Sequence, residues 1–206
     1  MRIARDGIKP VIFLIICAVL SAFISYVPAL VILALCLFVI WFFRDPERNA
    51  DYKDGNFYSP ADGKIVEISE VDHPFAGRSI KIGIFMNVFS VHVNRAPCTG
   101  IVNYLEYVPG KKIAAFAEKA SEINERNLIG LTTQWGAVLV VQIAGLVARR
   151  IVCRLKSGDV LETGQRLGMI KLGSRVDVYL PLDVVVKIKT GDRVKAGLTC
   201  IGVISQ

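Results

Sequence analysis

Residues 11–43 carry no charged side chain, an apolar run well beyond the roughly 18 residues that mark a membrane-inserting segment. One straight helix over it would reach about 50 Å, against a hydrocarbon core of about 30 Å, and Ser25-Tyr26-Val27-Pro28 interrupts it. The pattern therefore predicts a helical hairpin with arms over 11–27 and 29–43. Each arm is at or below the usual spanning length, so two short spans and a re-entrant hairpin both fit. In either arrangement the two ends emerge on one side, with Trp41, Phe42 and Phe43 at the interface.

After the hairpin the pattern changes from continuous to alternating. A polar stretch over 46–56, opened by Pro46, reads as a linker. Short β-branched runs bounded by Gly or Pro follow, over 64–68, 79–85, 100–108, 137–143, 148–155, 175–180, 183–188 and 199–204. Residues 112–127, charged and poor in large apolar side chains, read as a helical or mobile insertion. The expected organisation is a hairpin over 1–45, a linker over 46–56 and a mainly β domain over 57–206. Within that domain, Lys156-Ser157-Gly158-Asp159-Val160-Leu161-Glu162-Thr163-Gly164 matches Lys189-Thr190-Gly191-Asp192-Arg193-Val194-Lys195-Ala196-Gly197, and Leu167-Gly168-Met169-Ile170 matches Ile201-Gly202-Val203-Ile204. This repeat predicts related β-hairpin units. It resembles the barrel-sandwich hybrid of biotinyl and lipoyl carrier domains, whose opening strand Ser59-Pro60-Ala61-Asp62-Gly63-Lys64-Ile65-Val66 also resembles.

Charge places the hairpin. Arg2, Arg5 and Lys9 precede it and Arg44 and Arg48 follow it, which by the positive-inside tendency puts both flanks at the cytoplasmic face of the cell membrane. A net charge of +7 suits a protein lying against anionic lipid. With no long Lys/Arg run and no basic-aromatic interleaving, nucleic acid is not an expected partner. A secretory signal is disfavoured by the length of the run and the lack of a small-residue cleavage pattern after Phe43. The five cysteines show no CxxC spacing and only two histidines exist, so the cysteines read as small hydrophobes and no metal site is expected.

The candidate chemistry lies between the two repeat copies, at Gly173-Ser174. A serine hydroxyl can attack the carbonyl of the preceding residue, and glycine there best permits the distorted backbone this requires. Elimination of the resulting ester would break the chain and leave a residue that hydrolyses to a pyruvoyl group, an electron-accepting ketone comparable to pyridoxal phosphate. Gly-Ser is equally an ordinary turn pair. The serine needs a base. His92, flanked by Val91 and Val93, is the candidate, with a structural core histidine as its alternative; His73, before Pro74, reads as an exposed turn residue. Asp62, in Pro60-Ala61-Asp62-Gly63, is either a turn carboxylate or the group that orients His92.

Together these residues resemble phosphatidylserine decarboxylases of the short prokaryotic, archaeal-type subfamily, over nearly the whole chain. The resemblance rests on Trp41-Phe42-Phe43-Arg44-Asp45-Pro46, Ser59-Pro60-Ala61-Asp62-Gly63, Phe89-Ser90-Val91-His92-Val93-Asn94-Arg95 and Leu172-Gly173-Ser174-Arg175. It implies a proenzyme that cuts itself between Gly173 and Ser174, with Ser174 becoming the pyruvoyl cofactor, His92 the base and Asp62 its support. It further implies a lyase in which the substrate's serine amine forms a Schiff base with the pyruvoyl ketone and carbon dioxide leaves. The product would be phosphatidylethanolamine or an ether-lipid equivalent. The implied partners are phospholipid, membrane and the second cleavage fragment, with a homo-oligomer left open. Two departures stand out: Arg175 replaces the threonine of longer members, and Phe89 stands where they carry a second histidine, which leaves His92 as the candidate proton donor for decarboxylation. Arg5, Lys9, Arg44, Arg48 and Arg95 are candidates for the lipid phosphate. The rival readings are a non-enzymatic membrane adaptor or biotinylated subunit, for which the chain lacks a Met-Lys or Asp-Lys hairpin tip, and a serine hydrolase, for which it lacks the Gly-x-Ser-x-Gly elbow.

Overall fold

A computed structural model describes residues 2–111, 123–145, 150–171 and 174–205. The chain divides into two compact units, Met1–Glu47 and Arg48–Gln206.

In the first unit, α1 (Arg5–Ala22) and α2 (Tyr26–Phe42) form the expected hairpin. The break falls at Phe23–Ser25, a little earlier than the sequence suggests. Ser25 caps α2 by accepting from the Val27 amide at 3.4 Å, and Pro28 lies in the first turn, where its missing N–H costs nothing. Two short strands, β1 (Arg2–Ile3) and β2 (Arg44–Asp45), pair antiparallel and close the base. A Cβ on Gly7 would lie 2.5 Å from that of Phe43, so glycine lets the two ends approach. The Arg44 guanidinium sits 4.1 Å over the Trp41 ring. No helix among the described residues is long and apolar enough to cross a membrane. Even so, most large side chains of the hairpin face outward; Phe23 and Ile24 at its tip are 85% and 88% exposed.

The second unit is mainly β. It comprises β3 (Asn56–Tyr58), β4 (Gly63–His73), β5 (Gly77–Met86), β6 (Val93–Arg95), β7 (Gly100–Val108), β8 (Arg126–Thr133), β9 (Gly136–Ala144), β10 (Arg150–Cys153), β11 (Val160–Leu161), β12 (Arg166–Lys171), β13 (Ser174–Pro181), β14 (Val184–Val186), β15 (Arg193–Val194) and β16 (Cys200–Ile204). A curled eight-stranded sheet runs β11-β7-β8-β9-β13-β5-β4-β15, accompanied by two three-stranded sheets, β10-β12-β6 and β14-β16-β3. One core packs Val176, Val178 and Leu180 of β13 with Ile82, Ile84, Ile129 and Val140; a smaller cluster of Leu128, Leu139, Val141 and Ile143 covers the other face. With β13 lying centrally, both of its faces are buried. The expected insertion over 112–127 ends early, because Arg126 and Asn127 already belong to β8, where Asn127 is held by Gln142; residues 112–122 lie outside the described segments. His73 is half-buried rather than an exposed turn residue: it ends β4, with Nδ1 accepting from the Phe75 amide at 3.1 Å and the ring 5.1 Å from Tyr179.

The repeat seen in the sequence is a structural duplication, and a wider one. In the two turns, Asp159 and Asp192 accept from the amides of Lys156 and Lys189 at 2.8 and 2.9 Å, while Gly158 and Gly191 adopt φ of 93° and 100°. The turns lead into β11 and β15, the two outermost strands of the large sheet. Their partners correspond as well. The Tyr58 amide donates to Pro97 and the Arg95 amide to Pro60, at 2.8 and 2.9 Å; the Gly197 amide donates to Ser59 and the Gly164 amide to Ala96, also at 2.8 and 2.9 Å. Residues 55–65 and 92–102 are therefore equivalent in the two halves, with Pro60 and Gly63 answering to Pro97 and Gly100.

Candidate active site

Ser174 opens β13, paired with Met86 of β5 on one side and Ala144 of β9 on the other. The alternation that sends Val176 and Val178 into the main core also turns Ser174 inward, where it has no solvent exposure. Its hydroxyl donates to the Met86 thioether at 3.5 Å, a weak acceptor. Gly173 and Leu172 lie outside the described residues, so the Gly173–Ser174 position is bracketed by Ser174 on one side and by Lys171, the end of β12, on the other.

His92 precedes β6 and is likewise fully buried. Its carbonyl accepts from the Ile170 amide at 3.4 Å, three residues before Gly173. The end of β5 and the segment that leads from it to β6 thus touch both sides of the β12–β13 junction, Met86 against Ser174 and His92 against Ile170. Next to it a buried amide chain crosses the core. Asn127 Nδ2 donates to Gln142 Oε1 at 3.1 Å, Gln142 Nε2 to Asn94 Oδ1 at 2.9 Å, and Asn94 Nδ2 to Met86 Sδ at 3.8 Å.

Asp62 is engaged differently from the sequence expectation. Its Oδ2 pairs with Arg48 Nη2 at 2.9 Å and its Oδ1 accepts from the Ala196 amide at 2.7 Å; His92 is not among its hydrogen-bond partners. The duplication gives the reason, because Thr99, the counterpart of Asp62, accepts in the same way from the amide of Thr163. Of the basic residues considered for the lipid phosphate, Arg48 is committed to Asp62, Arg95 donates to the Gly164 carbonyl at 2.9 Å, and Arg44 lies on Trp41.

Sequence reasoning missed the charged cluster beside Ser174. Arg175, Glu67, Lys81 and Asp177 gather on the opposite face of the sheet. Burial pushes the Glu67 carboxyl up, but hydrogen bonds from Arg175 and Lys81 and the charge of Lys81 outweigh it and hold it below its ordinary value. Burial opposes the charge on Arg175, and Asp177 and Glu67 overcome it. Burial and the charges of Asp177 and Glu67 raise the Tyr179 hydroxyl. The signal in the sequence was Arg and Asp alternating with Val in a strand that had to be central. A cleft of about 820 Å³ lined by Tyr52, Cys98, Thr132 and Trp135 involves none of Ser174, His92 or Asp62; burial pushes its Cys98 thiol up to about 12, which keeps it protonated and unreactive.

Residues 35–202 match the family model described as phosphatidylserine decarboxylase. The chain belongs to that family. It is 48% identical to a phosphatidylserine decarboxylase proenzyme of Symbiobacterium thermophilum, over 99% of this chain and 96% of that protein. To the proenzyme of Carboxydothermus hydrogenoformans it is 46% identical over 96% and 94%, and to that of Ralstonia pickettii 51% identical over 81% and 79%.

Proposed function

We propose that this chain is a phosphatidylserine decarboxylase proenzyme that cuts itself between Gly173 and Ser174. The observation that carries the reading is the junction at Ser174: a buried serine at the start of a central strand, held by Met86 at the end of β5, while His92 a few residues further on is bonded to Ile170 on the other side of the scissile position. His92 takes the hydroxyl proton as the serine oxygen attacks the Gly173 carbonyl. The amide becomes an ester, and loss of the Cα proton of residue 174 then expels Gly173 as a carboxylate. Water hydrolyses the resulting enamine and ammonia leaves. The ketone so formed supplies an electron sink for loss of carbon dioxide from an amine-bearing carboxylate. The site fits such a group, because Met86 and the small Ala144 flank residue 174 and, among the described residues, its hydroxyl bonds only to a thioether.

His92 then returns a proton to the carbon that lost carbon dioxide, and its burial with residue 174 excludes the water that would compete for that carbon. Asp62 supports His92 through the backbone. It ties the 60–63 turn to Ala196, and the Pro60 carbonyl holds the Arg95 amide at the end of the His92 segment. Since Ser174 has no exposure before scission, the headgroup reaches residue 174 only after the cut. The substrate is phosphatidylserine or its ether-lipid equivalent. The outward apolar surface of the hairpin dips into the cytoplasmic face of the membrane, the two fragments stay together, and the pyruvoyl group derived from Ser174 is the cofactor.

Intact mass of the purified protein tests this. Fragments 1–173 and 174–206, the latter carrying a ketone in place of the serine amine, are expected, with carbon dioxide released from phosphatidylserine vesicles. Ser174→Ala is expected to stay whole and inactive. A whole, serine-bearing wild-type chain overturns the reading.

A further inference from the structure

The second residue after the proposed cut, Arg175, carries a buried cation. The Arg175 side chain is 3% exposed and that of Asp177 1%. Arg175 Nε donates to Asp177 Oδ1 at 2.5 Å and Nη2 to Glu67 Oε2; Lys81 Nζ lies 3.1 Å from Glu67 Oε1 and 3.6 Å from Asp177 Oδ2. Two cations and two anions from β13, β4 and β5 thus close a neutral ring. It lies over Gly83, where any Cβ would overlap the guanidinium.

Such a ring is poor evidence for stabilisation. Taking Arg175 and Asp177 out of water costs about what the ring's attraction returns, and well-packed apolar residues often do as well; the best-attested use of such groups is to fix register. Register is what scission endangers. The cut severs β13 from β12, and forming the ketone removes the backbone nitrogen of residue 174, so whatever that nitrogen contributes to the ladder is lost. A chain end without tethers frays. Arg175 is then the first residue of the new strand end with a side-chain tie to the larger fragment, through Glu67.

We propose that the Arg175–Glu67–Asp177–Lys81 ring is a clamp that holds the cut end of β13 in register, keeping the group at residue 174 beside His92. This rests on the self-cleavage reading. Arg175 is a positioning residue for turnover and contributes little to scission, which occurs while the chain is still continuous.

The test compares wild type, Arg175→Met and Gly83→Ala, which displaces the guanidinium without removing a charge, with and without Ser174→Ala. Cleavage is read by intact mass, kcat and KM on phosphatidylserine vesicles, and order in β13 by amide hydrogen exchange. Arg175→Met is expected to be cut and to carry the ketone, with kcat lowered about a hundredfold, the size of effect that small misplacement produces, and KM nearly unchanged. Exchange near residue 175 should accelerate in the cut protein and not in the uncut Ser174→Ala background. Full kcat in a cut Arg175→Met protein overturns the clamp, as does equal acceleration in the uncut background, which is what a merely structural role gives. If Arg175→Met does not fold, Gly83→Ala and Arg175→Lys are judged by the same two criteria. An uncut wild-type chain would instead overturn the self-cleavage reading, and the clamp with it.

Discussion

Gln142 is an amide with its carbonyl taken by Asn127 and its amino group given to Asn94, all three at the centre of the molecule. Replacing it with leucine of similar size leaves one donor and one acceptor buried without partners, at about 1–3 kcal/mol each. Gln142→Leu in the uncut Ser174→Ala background is therefore expected to lower the urea midpoint markedly; an unchanged midpoint would mean that the amide chain contributes no net stability. The second expectation at this scale concerns acid. Glu67 is held below its ordinary 4.5, so the folded form binds its proton less readily than the unfolded chain. The stability it contributes is complete above about pH 4.5 and is lost as the pH falls through the lower folded value. Glu67→Gln should thus be less stable than its parent near neutrality, with the gap closing below pH 4.5 in urea titrations at several pH values. A constant gap would remove Glu67 ionisation from the account.

Among the elements, the two Gly-Asp turns are near copies in both sequence and geometry. Gly158 and Gly191, at φ near +100°, stand where a side chain costs on the order of 1–3 kcal/mol. Gly158→Ala and Gly191→Ala should lower stability by similar amounts, measured separately by thermal unfolding; a large inequality would mean that the halves do not share the load. The turn repeat was readable because its Lys-x-Gly-Asp pattern is local. Its partner segments were not, because residues 55–65 and 92–102 share little beyond a proline and a glycine three residues apart, and their equivalence appears only in reciprocal backbone bonds. The hairpin could be read from its unbroken apolar run, whereas β8 could not, since its start lies inside a charged stretch. Ser174 and His92 were singled out by residue chemistry. The partners of Asp62 could not be, because which amide a carboxylate reaches is decided by long-range packing.

At the scale of the whole molecule, the hairpin turns most of its large apolar side chains outward, Phe23 and Ile24 at its tip most of all. Phe23 and Ile24 would each gain about 1.5–3 kcal/mol from full burial in hydrocarbon. The double change Phe23→Asp and Ile24→Asp in the full chain is expected to cut sedimentation with anionic vesicles by more than tenfold, leaving self-cleavage in detergent intact. Undiminished sedimentation would place the lipid contact elsewhere.

The central seat of β13 carries one more consequence. A strand gripped by a neighbour along each edge can be nicked at its head without giving the nicked piece a route of escape, so the scar is stored in a seam that the sheet itself keeps shut. If the chain is cut as proposed, the smaller piece is therefore expected to co-elute with the larger one on size exclusion without any covalent link.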